Sequence, residues 1–260
     1  MIFGGGQLPR LILGYFAGPR ELGLFVLATR ILDIIVNTAL FPRVAVGRIE
    51  LRRLQPSSPE FRRYFARMEQ DVALLSFPIL LGTAALMPDL FRVWLDQRWL
   101  DGIVPAQLVI LSGLPLVFTY CLDVAFLAAN LSSYFRRMAT AQAVTVIATV
   151  LCAAPFGLNV ACLALAVRPW LLLPFLLSMF RRRCGVPAFR LLEKPLLALF
   201  GAVLMAAILK LPFLSQLWLG AKLNFAFLIL TGVAVYGTFS YGFAREELRA
   251  LLASLFAKRP

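Results

Sequence analysis

IVPAQLVILSGLPLVFTYCLDVAFLAA, residues 103–129, runs unbroken through apolar side chains with a single charge, Asp123. About 20 apolar residues suffice for a helix, rising 1.5 Å per residue, to cross roughly 30 Å of hydrocarbon. This stretch therefore reads as a transmembrane helix. Its continuous apolar run lacks the alternation of a roughly ten-residue barrel strand. Six further stretches pass the same test: 22–42, 72–91, 138–156, 158–180, 195–214 and 223–243. Residues 2–17 (IFGGGQLPRLILGYFA) are shorter, interrupted by Gly4-Gly5-Gly6, Pro9 and Arg10, and lack the basic start and small-residue cleavage site of a secretory signal. They read as the remaining half of a helix whose beginning precedes the sequence. The expected fold is all-α, a polytopic membrane helix bundle of about eight transmembrane helices with the first truncated.

Composition agrees and excludes other classes. Of 260 residues 61% are apolar and 15% charged, against roughly 45–50% and 25% in soluble chains, and the mean hydropathy is +0.83. With no histidine there is no imidazole base, His metal ligand or Ser-His triad. Cys121, Cys152, Cys162 and Cys184 show no CxxC spacing, and three sit inside apolar runs, so they read as small packing hydrophobes.

Short basic loops stay cytoplasmic, so the Lys and Arg residues orient the chain. Taking connectors alternately, 18 of the 26 Lys and Arg fall in one set (around Arg52, Arg137, Arg182 and Arg249), 5 in the other and 3 (Arg10, Arg30, Arg168) inside spans. Both termini are thus expected in the cytoplasm and the turn at 18–21 outside, in the inner (plasma) membrane. The net charge of +13 is then topogenic and lipid-facing, without nucleic acid as a partner. The basic stretch 43–70, with its Pro-Ser-Ser-Pro break between two helix-compatible pieces, reads as a loop whose arms lie on the inner membrane surface, and 244–260 as a cytoplasmic amphipathic tail.

Charges inside spans are informative, because even the lowest estimates put a mid-membrane Arg or Asp at about 2.5–3.5 kcal/mol unless it faces partners or water. Counted from the outer edge, Arg30 is about 12 Å deep and Arg168 about 15 Å deep, so the two could meet in one cavity. Guanidinium suits phosphate, since its planar donors stay charged and bind bidentately. The competing reading is structural: an Arg30–Asp33 pair at i, i+3 and an Arg168–Asp123 bridge that only hold helices together. Recurrent breakers (Pro78, Gly82, Pro105, Gly113, Pro115, Pro169, Pro174) suit a moving transporter. No catalytic residue, metal site or cofactor motif is found: no span holds paired acids suited to acid/base work, and Gly4-Gly5-Gly6 lacks the strand and GK[ST] of a phosphate loop.

GYFAGPRELGLFVLATRILD (14–33), followed by FPRVAVGRIELRRLQ (41–55), resembles the junction of the seventh and eighth helices in polysaccharide flippases of the PST type, in the MOP superfamily. Gly14, Gly18, Leu22, Gly23, Phe25, Ala28 and Arg30 carry that pattern. The similarity continues through FPILLGTAALMPDLFRVWLDQRW (77–99), LAANLSSYFRRM (127–138) and PFGLNVACLALAVRPW (155–170). The chain departs from the family at LDQRW, where a Leu-Gly-x-x-W turn is usual, and at Asn159-Val160, where a second glycine is expected.

The resemblance implies a C-terminal six-helix lobe (1–180), two additional helices (181–243) and the tail, with an N-terminal lobe or a second copy as partner. It implies alternating access around a cationic cavity that carries a lipid-linked glycan diphosphate across the membrane, with Arg10, Arg30 and Arg168 on substrate and Asp33 and Asp123 supporting them. Membrane lipids are the other partner. Two alternatives stay open: a small-solute or drug exporter of the same superfamily, which tends to show an acidic cavity, and a membrane-embedded transferase, which needs the acid/base groups missing here.

Overall fold

The computed structural model describes residues 3–56, 58–184, 188–211 and 220–243, and these are helical almost throughout, with no strand among them. Among the described residues ten α-helices follow in order: α1 Phe3–Ala17, α2 Pro19–Ile35, α3 Phe41–Arg53, α4 Pro59–Trp94, α5 Ile103–Leu111, α6 Gly113–Ala128, α7 Ser132–Ala153, α8 Leu158–Cys184, α9 Ala188–Leu209 and α10 Ala221–Phe243. Six continuous helical runs among them are long and apolar enough to cross a membrane, and Lys194–Leu209 is a shorter apolar helix. The polytopic all-α bundle is as expected. The tail over 244–260 and residues 212–214 of the seventh span lie outside the described residues.

Side-chain pairs sort the connectors. Gly18 (φ +88°) and Gly157 (φ +98°) adopt a backbone that a Cβ would strain, and each ends a helix in a tight hairpin. Arg20 Nη2 meets Asp101 Oδ2 at 2.8 Å, and the Leu158 N–H donates to Glu21 Oε2 at 3.2 Å, capping the start of α8. The turns at 18, 96–102 and 154–157 therefore share one end of the bundle, and Lys222 over the Trp94 ring (5.3 Å) brings the start of α10 to that end. Among the described residues the basic connectors around Arg52, Arg137 and Arg182 lie at the opposite end, which is the alternation expected of them.

The stretch 43–70 differs from expectation. It is a helical hairpin rather than a loop with surface arms: α2 runs on through one π-helical turn, Val36–Leu40, into α3, and α4 begins at Pro59 with the Ser58 Oγ accepting from the Phe61 N–H (3.1 Å). Phe61, Phe65 and Leu51 are fully buried in this extension. At 36 residues α4 is about 54 Å long, well beyond the hydrocarbon. The basic side chains concealed an apolar stripe at helical spacing that packs α4 on α3.

Two prolines lie inside α4, and each removes the N–H that would bond the carbonyl four residues earlier. In a membrane those carbonyls need donors from elsewhere. Tyr236 Oη of α10 donates to the Leu74 carbonyl released by Pro78 (2.9 Å), and Gln107 Nε2 of α5 donates to the Ala84 carbonyl released by Pro88 (2.9 Å). The 103–129 span is broken at Ser112, and Gly113 opens α6 where a Cβ would stand 2.8 Å from Leu80 Cδ2 and 2.9 Å from Leu32 Cδ1. One core links α1 to α9, built around Phe77, Phe118 and the Phe65–Phe180–Phe126 ring group, with centroids 4.9 and 5.5 Å apart. Helices α9 and α10 pack on α4.

Candidate functional site

Helix α1 packs on both α2 and α7, and α7 packs on α8, so α2, α1, α7 and α8 form a row. The three intramembrane arginines are distributed along it. Arg10 of α1 reaches toward α2, where its Nη2 donates to Thr29 Oγ1 (3.4 Å) and lies 3.9 Å from Asp33 Oδ2. Thr29 and Asp33 of α2 and Asn37 of the π-helical turn that follows stand four residues apart, polar positions in an otherwise apolar run. Arg30 and Asp33 are exposed on that helix.

At the other end of the row, Arg168 of α8 is half-buried and its Nη1 donates to the Gln142 carbonyl and to Thr145 Oγ1 of α7, both at 3.0 Å. Its Nε is buried without a partner. The structural bridges weighed from sequence do not form: Asp33 takes Arg10 in place of Arg30, and Arg168 bonds α7 in place of Asp123. Among the described residues Arg30 has no ion-pair partner, so its charge is left for whatever the exposed face meets.

Asp123 and Tyr120 lie on α6, which packs on α3, α7 and α8, and the Tyr120 ring packs on Phe41 of α3 with centroids 5.2 Å apart. The structure thus brings Arg10, Thr29 and Asp33 together across α1 and α2, and anchors Arg168 separately on α7. Tyr120, Thr29, Asn37, Gln142 and Thr145 escaped the sequence reading. The i, i+4, i+8 spacing of Thr29, Asp33 and Asn37 was a readable signal, whereas Gln142 and Thr145 became partners of Arg168 only through the packing of α7 on α8. Among the described residues no group of three or more Cys, Asp or Glu could hold a metal ion.

Chemically, the wall offers cations and hydroxyls on a face that lipid alone would not tolerate. A charge exposed on an apolar span must be covered by a water-filled cavity, a polar ligand or another protein surface.

Residues 2–104, which hold Arg10, Arg30 and Asp33, match the family described as "Polysaccharide biosynthesis protein". The chain is similar to the teichuronic acid biosynthesis protein TuaB of Bacillus subtilis (strain 168), 25% identical over 117 residues, which are 42% of this chain and 23% of that protein. The chain therefore aligns with less than a quarter of that relative's length. No solved structure matches it. From α1 to the start of α5 the chain is similar to the polysaccharide biosynthesis protein family, which is consistent with the resemblance of its motifs to PST-type polysaccharide flippases.

Proposed function

We propose that the chain is a membrane transport component of polysaccharide biosynthesis that helps carry a lipid-linked oligosaccharide repeat unit from the inner to the outer leaflet, making and breaking no bond. The observation that carries the reading is Arg30, exposed on a membrane span and within ion-pair distance of no acid among the described residues, in a row that also presents Arg10 and Arg168. A diphosphate is the chemical complement of such a row: multiply charged, rich in acceptors and able to take two parallel N–H donors from each guanidinium. Arg10 and Asp33 form a weak pair that a stronger anion can displace. Thr29, Asn37 and Tyr120 supply hydroxyl and amide groups of the kind that bind sugars. The family match over residues 2–104 supports a role in polysaccharide export.

In this reading the row is one wall of the cavity. The opposite wall comes from an N-terminal lobe or a second copy, and the two rock between inward and outward openings. Both termini lie in the cytoplasm by the distribution of basic residues. The experiment is replacement of Arg30 by Gln in the producing cell. The expected outcome is loss of surface polysaccharide with lipid-linked repeat units accumulating on the inner leaflet, while the chain's abundance stays unchanged. Normal export by a stable Arg30→Gln protein refutes the reading.

A further inference from the structure

Glu69 is the only carboxyl-bearing residue among those described that is buried. It is 0% exposed on α4, one turn beyond Phe65, and neither Oε1 nor Oε2 has a hydrogen-bond partner. Of the elements packed on α4, α5 brings no ionisable side chain, and α6 brings Tyr120 and Asp123, both partly exposed, and the fully buried Cys121, which Glu69 and Asp123 both approach. Arg20, Glu21, Arg30 and Asp33 of α2, Arg43, Arg48, Glu50, Arg52 and Arg53 of α3, Arg98 and Asp101 of the 97–102 turn, Lys194 of α9 and Lys222, Tyr236 and Tyr241 of α10 all stand at exposed or partly exposed positions. On α4 itself, Arg67 is exposed and Asp71 and Tyr64 are partly exposed. None of these pairs with Glu69.

A carboxylate stripped of water, without a donor or cation, is not sustained in such a place; the group neutralises instead. Glu69 is therefore the neutral acid in this packing. Its surroundings are Phe65, Val72 and Cys121, all fully buried, where a leucine or methionine would pack without any polar group to satisfy. We propose that Glu69 is a proton-binding site inside the bundle, taking up a proton as α4 and α6 close around it and releasing it when they part. Proton binding and closure of this end of the bundle are then linked: acid favours the closed packing and alkali the parted one. This inference does not rest on the transport reading and holds whatever the cargo.

Infrared spectroscopy of the chain in lipid bilayers, with glutamate carrying a carbon-13 carboxyl group, reads the proton directly. The expected result is a protonated-carboxyl band from glutamate at neutral pH that is absent from Glu69→Gln. Hydrogen exchange reads the linkage. After correction for intrinsic rates, amides of α4 and α6 near Glu69 should exchange several-fold faster in alkaline than in mildly acidic buffer in the wild type, and equally in both for Glu69→Gln. A wild-type spectrum showing only ionised glutamate at neutral pH overturns the proposal, and so does a protonated band with no pH dependence of exchange. Should Glu69→Gln fail to insert, the wild-type spectrum and exchange still decide.

Discussion

Tyr236→Phe removes one hydroxyl and keeps the ring, and the structure states what that hydroxyl does. It donates at 2.9 Å to the Leu74 carbonyl, the group that Pro78 leaves without its usual partner. Hydrogen bonds between membrane helices are worth about 0.6 kcal/mol on average and up to about 1.7. A carbonyl with no competing donor belongs in the upper part of that range, so we expect Tyr236→Phe to cost about 1 kcal/mol, roughly fivefold in the unfolding equilibrium.

Restoring the missing donor should make the tyrosine hydroxyl redundant. In a Pro78→Ala background the backbone N–H regained at position 78 takes the Leu74 carbonyl within α4. There Tyr236→Phe should cost no more than about 0.3 kcal/mol, leaving a coupling of about 0.7 kcal/mol. Equilibrium unfolding in mixed micelles of the wild type, the two single variants and the double variant measures it. Equal cost of Tyr236→Phe in both backgrounds would refute the claim that α10 is held on α4 by compensating for the proline.

Arg168→Lys keeps the charge but loses the planar fork, so export should fall while abundance holds, and Arg168→Gln should fall further; normal export by either would show that the guanidinium does not meet cargo. Because Arg168 bonds α7 and not Asp123, unfolding of Arg168→Gln, Asp123→Asn and the double variant should be additive within about 0.5 kcal/mol, and a larger coupling would mean that the bridge forms after all. Gly113→Ala should destabilise by about 1–3 kcal/mol, since its methyl would stand 2.8 Å from Leu80 and 2.9 Å from Leu32; a neutral change in thermal unfolding would contradict the tight crossing. Cysteine placed at Ser58 should resist an impermeant thiol reagent on intact cells and cysteine at Gln97 should react, in a background lacking the native cysteines; the reverse pattern inverts the topology.

The membrane class, the helical architecture and six of the expected spans were legible in linear order, because hydrocarbon demands long apolar runs and satisfied backbone groups of any chain that crosses it. Arg10, Arg30 and Arg168 were legible for the same reason: a charge in an apolar run is costly wherever the run folds. Which acid each arginine meets was not. The i, i+3 spacing of Arg30 and Asp33 suggested a pair on one helix, yet Arg10 from the neighbouring helix takes Asp33, and α7 reaches Arg168 before Asp123 does. Spacing along a helix defines who shares a face, and packing between helices decides who is nearest.

The stretch 43–70 and Glu69 show the same division more strongly. Seven arginines made 43–70 read as a surface loop, because charge dominates a linear reading, while Phe61 and Phe65 were buried by an antiparallel partner earlier in the chain that only the hairpin brings alongside. Glu69, set among arginines, carried no signal of its own in the linear sequence. It is a buried, unpartnered acid because α4 continues through the basic stretch and takes that residue into the bundle. Sequence alone determined where this chain must be apolar and which residues have to be accounted for in a membrane; tertiary structure decided which of them face one another, because that depends on contacts between helices that no single helix encodes.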